Sequence, residues 1–165
     1  MLATLHEDPT LDLEAFAVTW RGRRDLANEV PPGVRTSPRA FPARLTRRLW
    51  PTIGRPRAEY WTGPVDLVHA TNYVAPPSRA PVLVTVHDLT FLHFPEMCTA
   101  DTLTYPGHLR RAIEAGATIH SSTHYVVDEI RTEFGLRPDQ VGQIYYGLEP
   151  VELGDAAREI GRAHV

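Results

Sequence analysis

One stretch constrains this chain more than any other: VLVTVHDLTFLHFP, residues 82–95. It opens on an unbroken run of apolar and β-branched residues, Val82 to Val86, and breaks abruptly at His87-Asp88. A run without polar alternation reads as a strand covered on both faces, the condition of a parallel sheet. Ligands of open α/β sheets bind beyond the C-terminal ends of such strands. His87 and Asp88 are therefore where chemistry is expected. A histidine titrates near neutrality and can shuttle a proton or donate a hydrogen bond. The plainer alternative makes His87 a satisfied core histidine and Asp88 the cap of the following loop.

The rest of the chain alternates around that strand. Residues 2–7 read as a helix tail, interrupted at Asp8-Pro9, and 11–20 as a strand. A short helix is expected over 23–29, stopped by Pro31-Pro32-Gly33, then a short strand over 34–37. Residues 44–50 form a basic helix, with Leu45, Leu49 and Trp50 inward and Arg44, Arg47 and Arg48 on a solvated face. Strands are expected at 66–70 (DLVHA), 82–87, 117–120 and 141–146, with a proline-rich loop at 72–81. Helices are expected at 102–116 and 123–134. The first carries Leu109, Ala112 and Ile113 on one face and stops at Gly116. The second is capped by Thr123, striped by Val126, Val127, Ile130 and Phe134, and ended by Gly135. Strand–helix alternation predicts an α/β fold: a Rossmann-like, doubly wound parallel sheet with right-handed crossovers. Such domains usually begin on a strand, so the first strand is expected to be missing from this sequence.

Composition narrows the class. The 165 residues suit one domain, and a net charge of -3 gives no ground for nucleic-acid binding. The single cysteine, Cys98, cannot form an internal disulfide, which fits a reducing cytoplasm. It has no basic neighbour and reads as an inert thiol. The opening residues lack the basic and apolar regions of a signal peptide, and no apolar run approaches a membrane span. The basic helix around Arg47 leaves room for peripheral contact with the inner membrane face.

Further polar groups sit at strand ends. Thr71-Asn72-Tyr73 suits a sugar or other polyol, or a turn into the loop. Ser121-Ser122-Thr123 precedes a helix start, where amides attract phosphate and where a simple cap is also expected. Gly147 after Tyr146 permits positive φ or the close approach of a ligand; an ordinary turn explains it equally. His69, His87 and His93 with Asp88 raise a metal-dependent hydrolase as an alternative. No pair stands at helical i, i+4 spacing, so no metal is expected.

Taken in order, DLVHATNY, VLVTVHDLTFLHFPE, LRRAIEAGATIHSSTHYVVDEI and VGQIYYGLEP resemble the N-terminal, acceptor-side domain of retaining glycosyltransferases of the GT-B fold, family 4 (group 1). The likeness is strongest over 66–150. It implies two Rossmann-like domains facing across a cleft, the second holding a nucleotide-sugar donor. The activity implied is hexosyl transfer with retention to an acceptor hydroxyl of a sugar, glycan or lipid, without metal or other cofactor. His87 would face the transferred sugar. Asp88, Thr71, Asn72, Thr123 and Gly147 would line the substrate cleft. Tyr145-Tyr146-Gly147 departs from the Pro-Asn-Gly usual in the family.

On this resemblance, 1–150 is a partial acceptor-side domain without its first strand and glycine-rich loop. Residues 151–165 are a linker and a non-native tail, since EIGRAHV (159–165) reads as translated adapter sequence expected to pack against nothing. The C-terminal domain, with its paired donor-binding glutamates, would be a missing partner, and the isolated chain is expected to be inactive. The alternative is a non-catalytic α/β interaction module.

Overall fold

A computed structural model describes residues 2–18, 25–37 and 39–147. The expected start of the 23–29 helix, the end of the 11–20 strand, the 151–165 tail and the side chain of Arg47 lie outside the described residues.

The apolar run at 82–86 forms part of a four-stranded parallel sheet. Its strands are β3 (Val68–Ala70), β4 (Val82–Thr85), β5 (Thr118–Ser121) and β6 (Val141–Gln143), ordered β3-β4-β5-β6. Register sets Ala70 beside Val84, Val84 beside Ile119, and Ile119 beside Val141. Successive side chains alternate across a strand, so these four share one face. On that face pack α6 (Tyr105–Glu114), with Leu109 and Ala112, and α7 (His124–Phe134), with Val126, Val127 and Ile130. Each connection steps one strand in the same direction. Right-handed crossovers then put both helices on one side of the sheet.

The helix termini follow their residues. Thr123 Oγ1 accepts from the Val126 amide at 3.2 Å, satisfying an amide the helix itself leaves unpaired. Gly135 closes α7 at φ 65°, a left-handed conformation in which a Cβ is costly.

A smaller layer precedes the sheet: α1 (Leu2–His6), β1 (Glu14–Ala15), α2 (Leu26–Glu29), β2 (Arg35–Thr36), α3 (Ala43–Ile53) and α4 (Glu59–Thr62). Here β1 and β2 pair in parallel. Trp61 is buried and stacks on Phe16 at 5.4 Å.

Several expectations need correction. The inward face of the basic helix is Thr46 and Trp50, while Leu45 is 44% exposed and Leu49 half-buried. Local bonding makes that face tolerable. Thr46 Oγ1 donates to the Ala43 carbonyl at 2.7 Å, and Trp50 Nε1 donates to the Pro56 carbonyl at 2.9 Å. The strand expected over 11–20 is regular only at 14–15 among its described residues, and that over 141–146 ends at Gln143, with Ile144, Tyr145 and Tyr146 exposed. Two short helices, α4 and α5 (Thr90–His93), carry no periodic signal and went unforeseen. The α/β class and the parallel sheet stand. The described strands run in chain order, without the reversal that a doubly wound sheet requires. Among the described residues no helix is long and apolar enough to cross a membrane.

Candidate functional site at the end of the sheet

The amide of Val86, one residue past β4, donates to the His120 carbonyl at 2.8 Å and keeps the chain in the sheet. His87 follows and is exposed. Its Nε2 lies 3.1 Å from the Thr71 carbonyl and its Nδ1 lies 2.7 Å from Tyr146 Oη. A carbonyl can only accept, so Nε2 carries the hydrogen. In the neutral ring Nδ1 then accepts from the Tyr146 hydroxyl. Thr71 follows β3 and Tyr146 follows β6, so three strand ends converge on one imidazole. Thr71 contributes its backbone rather than its hydroxyl.

Asp88 turns the other way. Its Oδ1 accepts from the Thr90 amide at 2.8 Å and its Oδ2 from Tyr73 Oη at 3.1 Å, while its own amide donates back to Tyr73 Oη at 3.2 Å. Partial burial pushes this carboxyl up. The Thr90 amide and hydroxyl, the Tyr73 hydroxyl and the nearby His87 outweigh that and hold it below the ordinary aspartate value. Asp88 is thus an anion at neutral pH.

Tyr73 is buried and adopts φ 38°, left-handed backbone that non-glycine residues rarely occupy. Burial, with the charge of Asp88 also contributing, raises its phenol to about 12. Its ring stacks on Tyr105 at 4.8 Å and meets Phe91 edge-on at 5.5 Å. Tyr73, Phe91, Tyr105, Asp88, Thr90 and Thr102 line a cleft of about 330 Å³. An ionised carboxylate, hydroxyls and aromatic faces together suit a hydroxyl-rich ligand that also presents C–H faces.

The remaining expected residues divide. Asn72 is exposed and its carbonyl accepts from the Val74 amide, the turn the sequence allowed. The Thr123 hydroxyl is committed to its helix cap. Ser121 is fully buried, and its Oγ has no hydrogen-bond partner among the described residues. Gly147 is exposed with open space about it and does not adopt left-handed φ, so its conformation does not demand glycine.

A second group went unforeseen. On the sheet face away from α6 and α7, His69 Nε2 is 2.8 Å from Thr85 Oγ1, which is 3.2 Å from His120 Nδ1, and His120 Nε2 is 3.1 Å from the Ile144 carbonyl. The carbonyl sets the polarity: His120 Nε2 donates to it, Thr85 donates to His120 Nδ1, and His69 donates to Thr85. Burial, then the charge of His120, lowers His69 below the ordinary histidine value. Thr85 and His120 are register partners, and His69, paired with Leu83, lies diagonally from Thr85 on the same sheet face, a relation visible only once the pairing is known. His93 pairs instead with Glu129 at 3.0 Å, so His69, His87 and His93 have separate partners. Among the described residues no three His, Cys, Asp or Glu side chains gather into a group that could hold a metal ion.

Comparison of the chain with protein families, with curated proteins and with solved structures gives no match.

Proposed function

We propose that this chain is the acceptor-side, Rossmann-like half of a GT-B retaining glycosyltransferase resembling family 4. The observation that carries the reading is His87: exposed at the C-terminal end of a parallel strand, with both ring nitrogens tied, to the Thr71 carbonyl and to Tyr146 Oη. A ring held on both sides is suited to contacting a sugar in fixed geometry rather than to acting as a free base. In this reading catalysis is mostly electrostatic and positional. A second lobe binds the nucleotide-sugar and supports its departing diphosphate. His87 faces the transferred sugar. The ionised Asp88 and the aromatic cleft behind it orient the acceptor, with Thr71, Asn72, Thr123 and Gly147 along the rim.

The test is genetic and enzymatic. The reading frame around this sequence is expected to carry a glycine-rich loop upstream and an E-x7-E pattern downstream. Protein from that longer frame is expected to transfer hexose with retention and to lose at least about a hundredfold in kcat on His87→Ala. The 165-residue chain alone is expected to show no turnover. A frame without either motif, or unchanged kcat in His87→Ala, would refute the reading.

One observation favours a second reading, a non-catalytic interaction module. Ile144, Tyr145 and Tyr146 form an exposed apolar run beside His87. Exposed runs of this kind are common at contact surfaces. Stable pairing with a partner by a protein lacking both flanking motifs would select it.

A further inference from the structure

A second cleft lies at the other end of the sheet. It encloses about 440 Å³ and is walled by Phe41 and Tyr60, with Arg55, Arg57 and Arg79 around it and Glu59 in its lining. Arg55 and Arg57 precede α4, and Arg79 stands three residues before β4 begins. The cleft is therefore beside strand starts, while His87 follows a strand end.

The arginine-bearing segments are anchored. The Pro56 carbonyl accepts from Trp50 Nε1 at 2.9 Å, and the Ala58 amide donates to the Pro77 carbonyl at 2.9 Å. Glu59 Oε1 accepts from Ser78 Oγ at 3.0 Å and from the amides of Arg79 at 2.6 Å and Ala80 at 3.4 Å. One carboxylate oxygen thus pins the turn that carries Arg79. The other, Oε2, is buried without a hydrogen-bond partner. Against that single negative charge stand three guanidinium groups, none of which makes a hydrogen bond or ion pair among the described residues.

Guanidinium groups match phosphate oxygens in charge and fork geometry. The volume falls in the range of small-molecule sites, and the aromatic walls suit a flat apolar body. We propose that this cleft binds a small organic phosphate with a flat apolar body, its phosphate held by Arg55, Arg57 and Arg79 and its body by Phe41 and Tyr60. The inference is independent of the glycosyltransferase reading, which concerns the opposite end of the sheet.

The probe is phenyl phosphate, titrated into the isotope-labelled 165-residue chain and followed through backbone amide shifts. Saturable shifts are expected over residues 55–60 and 79–80. Arg57→Gln and Arg79→Gln are each expected to weaken binding about tenfold. Arg48→Gln, on the exposed face of α3 outside the cleft, is expected to leave it unchanged. Phenol without the phosphate is expected to give no saturable shift. Amide shifts remote from the cleft report that each variant is folded. The proposal is overturned if phenyl phosphate gives no saturable shift up to about 10 mM, a very weak affinity for a formed site. It is equally overturned if a folded Arg57→Gln/Arg79→Gln double variant binds as tightly as the parent, or if Arg48→Gln weakens binding as much as the cleft variants do.

Discussion

Tyr73 joins the two functions a single residue can have here, packing and poising. Its ring fills the core between Phe91 and Tyr105, and its hydroxyl meets both the carboxylate and the amide of Asp88. With its phenol raised to about 12, the folded state keeps a proton that the unfolded chain loses near pH 10. The sign follows: this stabilising contribution is complete below about pH 10 and disappears as pH rises from 10 to 12. Glu129 also raises the Tyr125 phenol, so of the six tyrosines Tyr73 is the one expected to ionise last in an absorbance titration of the folded chain, and Tyr73→Phe is expected to remove that last step. The same change takes a hydrogen bond from an ionised carboxylate. It is expected to lower unfolding free energy by about 1–2 kcal/mol in urea melts at neutral pH and to move the Asp88 carboxyl upward toward its ordinary value. The depressed Asp88 contributes stability above about pH 4, lost as pH falls further, so the variant should show a shallower acid loss.

At the scale of elements, α7 is the clearest case of a helix whose ends are written in its residues. Thr123 opens it through a side-chain bond to the Val126 amide, and Gly135 closes it in left-handed backbone. Thr123→Ala is expected to cost about 1 kcal/mol in thermal or denaturant melts, and Thr123→Ser to restore nearly all of it. That outcome separates a capping hydroxyl from one reserved for a ligand: an unchanged melting profile in Thr123→Ala would free the hydroxyl for substrate. The helix α3 is the contrary case. Hydrophobicity alone nominated Leu45, yet Thr46 is the buried residue, because a threonine that returns its hydroxyl to the Ala43 carbonyl brings no unsatisfied group inside. Burial was decided by what the helix packs against and by which polar groups could find partners locally.

For the whole molecule, the sheet covers its two faces unequally. One face carries Ala70, Val84, Ile119 and Val141 beneath α6 and α7. The other carries the His69–Thr85–His120 chain of hydrogen bonds. The edge strands β3 and β6 also adjoin exposed apolar side chains: Leu67 before β3, and Ile144, Tyr145 and Tyr146 after β6. Unpaired strand edges beside apolar surface favour association. Sedimentation velocity of the purified chain is expected to show self-association that rises with concentration, and Ile144→Lys to reduce it. A single monomeric boundary at every concentration would show that these edges are sufficiently protected.

The pattern of residues alone determined the α/β class, the strands at β3, β4 and β5, the extent of α7, and the placing of His87 and Asp88 at the end of the strongest strand. These follow from chemistry within a few residues: an unbroken apolar run, a capping hydroxyl, a glycine that accepts left-handed backbone. Tertiary structure decided what those residues meet. That Tyr146 and the Thr71 carbonyl hold His87, that Tyr73 grips Asp88, that His69, Thr85 and His120 share a sheet face, and that three arginines from two separate segments surround one cleft are all consequences of strand order and packing. Such contacts join residues far apart along the chain, and no local propensity encodes which distant partner arrives.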